Sequence, residues 1–150
     1  MIYDVIYFDL GDTLVDNSSP TSWILGAHDA IDLLRQRGLR LGLISNTGTL
    51  TRQQLIGMLP PDFDLGLFDE SLIILSSEVG VEKPALDIFR LAVTKSCVAA
   101  CRCLFCTEDL LHTLAAQQVG MHVARLQTPP QGDVGTVPDL LQRLESLAGV

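Results

Sequence analysis

Short apolar runs alternate along the chain with segments in which apolar residues recur every three or four positions. Apolar runs of about four to eight residues are typical of buried strands, and the helical period is typical of segments that cover a sheet. The runs predict strands at residues 2–9, 40–44, 71–76, 102–106 and 121–126. The periodic segments predict helices that begin near Trp23, at Thr49 or Thr51, at Pro84, after the fourth strand and at Val137.

Turn-forming residues mark the limits of these helices. Gly38 ends the first helix as a left-handed cap, and a proline pair ends the second after Leu59. Pro84 is suited to the first position of the next helix. Residues 127–136, rich in proline and glycine, predict a linker before the closing helix, whose apolar stripe runs to Leu147.

The alternation of strands and helices favours parallel βαβ units with helices on both faces of one sheet. The chain has 150 residues, the length of one domain, which we place at 1–150. A chain of this length buries roughly 70% of the surface that its unfolded form exposes. We therefore predict an α/β fold, a three-layer αβα sandwich of Rossmann-like type around a parallel five-stranded sheet.

Polar side chains follow three of the predicted strands. Asp9 ends the first strand, Ser45 and Asn46 follow the second, and Glu108 and Asp109 follow the fourth. Taken singly, such residues are also typical of turns and helix caps. Because the carboxyl ends of parallel strands meet at one edge, where open α/β sheets bind ligands, we expect these side chains to share a site.

Composition narrows the classes of partner. The formal net charge is −8 without a Lys/Arg cluster, so nucleic acid is not an expected partner. Hydrophobic residues make up 47% of the chain, yet no apolar run approaches the ~20 residues that cross a bilayer. We expect a soluble, cytoplasmic protein that does not bind membranes and whose acidic pocket holds a divalent cation.

The cysteines cluster at Cys97, Cys101, Cys103 and Cys106. The CxxC spacing of the last two is found in zinc and redox sites. Within a strand, however, Cys103 and Cys106 would point to opposite faces of the sheet. Buried free thiols in a reducing compartment are therefore the favoured interpretation.

Four segments, in order, resemble the motifs of the haloacid dehalogenase-like (HAD) hydrolase superfamily. They are residues 8–14 (FDLGDTL), 43–46 (LISN), 80–84 (GVEKP) and 107–109 (TED) with His112. Each segment stands just after a strand or at the start of a helix, and the resemblance covers nearly the whole chain. It implies the strand order 5-4-1-2-3.

The resemblance also implies a phosphatase mechanism and its residues. Asp9 would attack phosphorus and form an aspartyl-phosphate that water hydrolyses. Mg²⁺ would be held by Asp9, the carbonyl of Gly11 and Glu108, since a hard cation prefers oxygen ligands. Ser45 and Lys83 would stabilise the phosphoryl oxygens. The substrate-binding residues would be Thr13, Ser45, Asn46 and Lys83.

The first motif departs from the family pattern at Gly11. Phosphatases of the superfamily have a second aspartate there, which protonates the leaving oxygen and then activates water. Asp12 lies one residue further along, where its side chain points in another direction unless the turn is remodelled. Losing a positioned general acid typically costs about 10²–10⁴ in rate, so turnover at Asp9 is expected to be slow.

The fourth motif departs at Glu108, where the family usually has aspartate, and at His112, where a second acid is common. Asp109 offers a further oxygen beside Glu108. Nitrogen ligands suit softer metals than Mg²⁺. We therefore favour His112 as a helix-surface histidine over His112 as a metal ligand.

The intervals between motifs are too short for the substrate-enclosing cap of relatives that cleave carbon–halogen bonds. Residues 14–44 and 46–82 each predict only a loop, one helix and one strand. A site without a lid would be open to water, which suits a protein-borne phosphate or a lid lent by a partner or a second subunit.

Two functions stay open. The first is an Mg²⁺-dependent phosphohydrolase acting on a phosphorylated small molecule or a protein-borne phosphate. The second is a catalytically weakened relative that serves as a binding or regulatory module, for a protein partner or as a homodimer. The intact nucleophile and phosphate-holding residues favour the first function, and the altered first and fourth motifs favour the second.

Overall fold

A parallel sheet of five strands lies at the centre of the protein. The structure is a computed structural model that describes residues 2–16, 21–126, 132 and 135–147, with the backbone alone for 145–147. The strands are β1 (Val5–Phe8), β2 (Arg40–Ser45), β3 (Ile73–Leu75), β4 (Cys103–Thr107) and β5 (His122–Arg125). The helices are α1 (Ala27–Gln36), α2 (Arg52–Met58), α3 (Ser76–Val79), α4 (Leu86–Ser96), α5 (Leu110–Val119) and α6 (Val137–Leu147).

The strand order is β3-β2-β1-β4-β5, and all neighbouring strands are parallel. This is the predicted order 5-4-1-2-3 read from the opposite edge, so the predicted topology is confirmed. In the central strand, Phe8 pairs with Leu43 of β2 and with Cys106 of β4. The segments that follow these three positions therefore lie side by side at the carboxyl edge of the sheet.

Alternation along β1 divides the core between the two faces of the sheet. Ile6 and Phe8 pack in a cluster with the apolar sides of α1 and α6. Val5 and Tyr7 pack in a second cluster with α4 and α5. All four side chains are fully buried. The result is the three-layer sandwich that the alternating pattern predicts.

The cysteines of β4 follow the same alternation. Cys103 belongs to the cluster with α4 and α5, and Cys106 to the cluster with α1 and α6. Both are buried free thiols whose pKa is raised by burial. The prediction of buried thiols on opposite faces is confirmed for this pair, and it is wrong for Cys97 and Cys101, which are exposed.

The third strand is shorter than the predicted 71–76. Asp69 accepts a hydrogen bond from the backbone N–H of Ser71 at 3.1 Å and begins a 3₁₀ turn, Glu70–Leu72. Ser76 then opens the short helix α3, where we predicted the strand end and a loop. The local hydrogen bond of Asp69 offers the backbone an alternative to the extended conformation that the apolar run favours.

The first helix begins at Ala27 rather than near Trp23. Trp23 instead forms an antiparallel bridge with Val15, and its ring stacks on Phe63 with 4.6 Å between the ring centroids. These are tertiary contacts with residues distant in sequence. The helical spacing of the apolar residues therefore begins at Trp23, before the first residue of the helix.

The helix after the third motif begins at Leu86 rather than Pro84. The backbone N–H of Ala85 donates to the carbonyl of Glu82 at 2.9 Å, which closes a turn before the helix. The prediction of Pro84 at the first helical position is therefore wrong. Lys83 and Pro84 lie within this turn, which therefore helps to orient the side chain of Lys83.

The closing helix α6 follows the predicted stripe and buries Val137, Leu140 and Leu144. The side chain of Leu147 lies outside the described residues, as does most of the predicted linker at 127–136. Within the described part of the chain, no helix is both long and apolar enough to cross a membrane.

Candidate active site

A cavity of about 380 Å³ opens beside the carboxyl ends of β1 and β2 and the start of α5. The predicted site residues that line it are Asp9, Gly11, Asp12, Ser45, Asn46, Lys83, Glu108 and His112. Two predicted residues lie outside the lining: Thr13 is buried in the turn after β1, and Asp109 caps α5. Residues from all four motif segments therefore meet in one place.

Both carboxylate oxygens of Asp9 have fixed partners. Oδ1 lies 2.9 Å from the Nζ of Lys83 and accepts from the backbone N–H of Leu10 at 2.8 Å. Oδ2 accepts from the hydroxyl of Thr107 at 3.2 Å. Because only 14% of the Asp9 side chain is exposed, these contacts hold the carboxylate in one orientation.

Lys83 is a buried cation with its own support. Its side chain is 1% exposed and donates to the carbonyl of Ile44 at 2.7 Å as well as pairing with Asp9. Burial lowers the pKa of Lys83, and the adjacent carboxylate of Asp9 opposes that shift. The ammonium thus lies beside Asp9 at the edge of the cavity.

Asn46 holds the backbone of Lys83 from the neighbouring loop. The side-chain amide of Asn46 donates to the Lys83 carbonyl at 2.9 Å, and its oxygen accepts from the Lys83 N–H at 2.8 Å. Two hydrogen bonds to one residue fix both position and orientation. Asn46, predicted as a substrate-binding residue, therefore uses its amide to position Lys83.

Carboxylates outnumber cations in the described lining of the cavity. Asp9, Asp12 and Glu108 face a single ammonium, that of Lys83. Burial raises the pKa of Glu108, and the nearby carboxylates of Asp109, Asp12 and Asp9 raise it further. Neighbouring carboxylates repel one another, which disfavours their charged forms. A bound cation would reduce this repulsion.

The donor atoms suit a hard cation. Asp9 and Glu108 bring carboxylate groups to the lining, and Gly11 lines the same cavity. Mg²⁺ is commonly bound by one or two carboxylates together with water and substrate phosphate. The described residues contain no set of three or more His, Cys, Asp or Glu side chains that could hold a metal ion, so further ligands would come from outside the side chains.

His112 and Asp109 belong to the first turn of α5. Asp109 caps the helix by accepting from the backbone N–H of His112 at 3.2 Å, and its Oδ2 lies 3.7 Å from the Nε2 of His112. Burial and the nearby ammonium of Lys83 lower the pKa of His112, and the carboxylates of Asp109 and Asp9 oppose that shift. The prediction of a surface histidine is wrong, because its side chain is only 16% exposed and faces the cavity.

Asp12 has a φ of 59°, in the left-handed region that favours glycine. Its backbone N–H donates to the carbonyl of Val15 at 2.7 Å, which closes the turn after β1. The side chain is exposed and lines the cavity. The turn therefore presents one carboxylate to the cavity, from Asp12, and none from Gly11.

Sequence reasoning missed two parts of the site. Thr107 belongs to the fourth motif, which predicts no role for it, although the pairing of Phe8 with Cys106 places it next to Asp9. The apolar side of the cavity was also missed. It is formed by Val15, Leu50, Leu55, Met58 and Leu59, most of them on or beside α2.

Comparison with known proteins finds similar structures, but no protein-family model matches the chain and no curated protein sequence matches it significantly. An uncharacterized protein from Listeria monocytogenes serotype 4b superposes with a TM-score of 0.77 at 17% identity, over 97% of this chain and 99% of that one. The L-2-haloacid dehalogenase RSc1362 superposes with a TM-score of 0.77 at 15% identity, over 95% and 99% of the two chains.

A third structure is bt-2542, a HAD family enzyme from Bacteroides thetaiotaomicron in complex with magnesium and inorganic phosphate. It superposes with a TM-score of 0.71 at 14% identity, over 85% of this chain and 96% of that one. Likeness at such identities concerns the fold. The chain therefore has the α/β fold of haloacid dehalogenase-like enzymes.

Proposed function

We propose that the protein is a slow Mg²⁺-dependent phosphohydrolase that acts through an aspartyl-phosphate at Asp9. The observation that carries the proposal is the 2.9 Å ion pair between the Asp9 carboxylate and the buried ammonium of Lys83, at the side of an open cavity. The substrate would be a phosphorylated small molecule or a protein-borne phosphate, met in the cytoplasm. The structure of bt-2542 with magnesium and phosphate supports the choice of ligands.

The chemistry proceeds in two displacements at phosphorus. A carboxylate oxygen of Asp9 forms a bond to phosphorus as the bond to the ester oxygen breaks, and the leaving alkoxide takes a proton from water. Water then attacks the phosphorus of the aspartyl-phosphate, which releases phosphate and restores Asp9. Lys83 and Ser45 stabilise the phosphoryl oxygens, where charge is concentrated in both transition states.

Asp9, Glu108 and the carbonyl of Gly11 would hold Mg²⁺, which supplies charge neutralisation between the attacking carboxylate and the phosphoryl group. The buried Lys83 contributes a fixed positive charge 2.9 Å from the same carboxylate. Asn46 keeps that charge in place through its two hydrogen bonds. Thr13, also predicted to bind substrate, is a buried hydroxyl outside the cavity lining with no hydrogen-bond partner among the described residues.

Slow turnover follows from Gly11. Position 11 has no carboxylate, so the turn lacks the acid that phosphatases of the superfamily place there to protonate the leaving oxygen and activate water. The rate cost is about 10²–10⁴, and it is smaller for a leaving group that is already a weak base. Esters of acidic alcohols and phenols are therefore the favoured substrates in the first step.

A binding or regulatory module is the second candidate. It is favoured by three exposed leucines in the first part of α5, beside Glu108 and His112: Leu110, Leu111 and Leu114. Apolar side chains exposed next to a cavity are typical of a surface that meets a protein partner, which would include a second copy of the chain. In this case, the acidic cavity would recognise a cation or a basic group of that partner.

Hydrolysis of p-nitrophenyl phosphate separates the two candidates. Wild-type protein should release p-nitrophenolate in the presence of Mg²⁺, and Asp9→Asn should not. Asp87→Asn serves as the matched control, because Asp87 is an exposed aspartate on α4 outside the cavity. Folded wild-type protein without activity would favour the binding module, and activity that persists in Asp9→Asn would refute Asp9 as the nucleophile.

A further inference from the structure

The cavity has a polar side and an apolar side. The polar side consists of strand-end residues around Asp9 and Lys83. The apolar side consists of Val15, Leu50, Leu55, Met58 and Leu59, from the turn after β1 and from the segment around α2. The two sides line one continuous space, so a ligand bound at Asp9 would extend along the apolar side.

The apolar side is accessible to a ligand. Met58 is 57% exposed, and Leu50 and Leu59 are half-buried, although each lines a concave surface. Only Leu55 is inserted into the core from α2. Apolar surface that stays wet in a concave site gains free energy when an apolar group displaces the water.

The apolar side is also held in place before any ligand binds. Arg52, the first residue of α2, donates to Glu78 at 3.0 and 2.8 Å and to Glu70 at 2.6 Å. These contacts tie α2 to the segments on either side of β3. A preformed apolar surface loses little freedom when it binds, which favours affinity and selectivity.

We propose that the substrate is a phosphate monoester of a small apolar alcohol or phenol, with its organic group against this apolar side. The proposal rests on the phosphohydrolase function. A space of about 380 Å³ is at the lower end for ligand pockets, and it accommodates a phosphoryl group with one substituted ring. Sugar hydroxyls would lose their hydrogen bonds to water here, and a second phosphate would meet the carboxylates of Asp12 and Glu108.

A pair of matched esters tests the inference. The compounds are 4-ethylphenyl phosphate and 4-(2-hydroxyethyl)phenyl phosphate, whose phenols are of nearly equal acidity. With Mg²⁺ present, kcat/KM should be at least about tenfold higher for the ethyl compound, the usual discrimination of an apolar pocket. Equal values of kcat/KM would overturn the inference.

Two variants of α2 locate the preference. Met58→Gln places a polar side chain of similar length on the apolar side and should bring the ratio of the two kcat/KM values close to one. Ile56→Gln is the matched control, since Ile56 is 47% exposed on the same helix but does not line the cavity. A ratio that survives Met58→Gln, or that Ile56→Gln also removes, would overturn the inference.

Binding of the corresponding phosphonates separates this inference from the proposed function. Calorimetry with Mg²⁺ should give about tenfold tighter binding for 4-ethylphenylphosphonate than for its hydroxyethyl analogue. Asp9-dependent hydrolysis of both esters at equal rates would refute the apolar selectivity and leave the phosphohydrolase standing. A tenfold difference in phosphonate affinity without hydrolysis would refute the phosphohydrolase and keep the apolar side as a binding surface.

Discussion

At the scale of single residues, the adjacent pair Gly11 and Asp12 is the reason that the proposed mechanism predicts slow turnover. Asp12 occupies a left-handed backbone conformation, which costs a residue with a Cβ about 1–2 kcal/mol and aspartate somewhat less. Gly11 does not have a positive φ, so its position does not require glycine. A carboxylate would be useful there, but glycine has no side chain. The acid and the glycine are thus in the reverse of the order that the phosphatase chemistry and the turn would each favour.

Exchanging the two residues tests this interpretation. The double variant Gly11→Asp/Asp12→Gly keeps the net charge, puts glycine at the left-handed position and puts a carboxylate two residues after Asp9. Phenolate is a poorer leaving group than p-nitrophenolate, so steady-state hydrolysis of phenyl phosphate should rise by about 10²-fold, the lower end of general acid catalysis. Gly11→Asp alone is the control for the added carboxylate, and no gain in a folded double variant would contradict the assignment.

The motif residues of the site could be predicted because short local patterns encode them. Asp9 and Lys83 are each marked by the segment around them, and the structure brings them to 2.9 Å. The hydrogen bond from Thr107 to Asp9 and the support of Lys83 by Asn46 join residues far apart in the chain. Such contacts depend on strand register and on loop geometry, which no local pattern contains.

At the scale of elements, the short helix α2 carries the apolar side of the cavity and begins at a side-chain cap. The hydroxyl of Thr51 accepts from the N–H of Gln54 at 3.1 Å, and the Gln54 side chain accepts from the N–H of Thr51 at 2.9 Å. This reciprocal pair is a capping box, and it satisfies backbone donors that the first helical turn leaves without partners. Of the two threonines that the sequence offered as caps, the structure selects Thr51.

Loss of this cap should loosen the cavity. Thr51→Ala should lower the free energy of unfolding by about 1 kcal/mol, the usual cost of an N-cap, as measured by urea denaturation. Thr49→Ala is the matched control, because Thr49 is also exposed and lies outside the capping box. Equal destabilisation by the two substitutions would contradict the role of Thr51.

Element types could be predicted here more reliably than element limits. Hydrophobic periodicity identified each strand of the sheet and the helices that cover it, because burial on a sheet imposes that pattern. The limits of β3, α1 and α4 were set instead by Asp69, Trp23 and the turn at Ala85. Each of these is a polar or tertiary contact that overrides local preference.

At the scale of the whole molecule, the protein is acidic, and carboxylates also outnumber cations in the cavity at the carboxyl edge of the sheet. The formal net charge is −8, and Asp9, Asp12 and Glu108 share one cavity with Lys83. The shifts in pKa connect this arrangement to stability. A carboxyl group whose pKa is higher in the folded than in the unfolded protein opposes folding once it is ionised.

Glu108 should therefore reduce stability at neutral pH when no cation is present. Its pKa lies above the ordinary 4.5, so folded protein binds more protons in the window just above that pH, and stability falls as pH rises through it. Glu108→Gln should flatten this pH dependence and raise Tm at pH 7 without metal. A Tm that is unchanged or lower in the variant would contradict the account.

Magnesium should reverse the order of stability of the wild type and Glu108→Gln. At about tenfold excess over its Kd, Mg²⁺ would stabilise the folded wild type by about 1.4 kcal/mol. Glu108→Gln, with a weaker ligand, should gain less, as thermal melts with and without Mg²⁺ would measure. Asp87→Asn again provides the control, and equal stabilisation of all three proteins by Mg²⁺ would contradict Glu108 as a ligand.

The most direct measurement of the central claim is rapid-mixing kinetics with p-nitrophenyl phosphate and Mg²⁺. The leaving phenolate needs little protonation, whereas hydrolysis of the aspartyl-phosphate lacks the base that Gly11 cannot supply, so the intermediate should accumulate. We expect a burst of about one p-nitrophenolate per chain, followed by a slow steady phase, and no burst from Asp9→Asn. Wild-type protein without a burst, or a burst that persists in Asp9→Asn, would contradict the account.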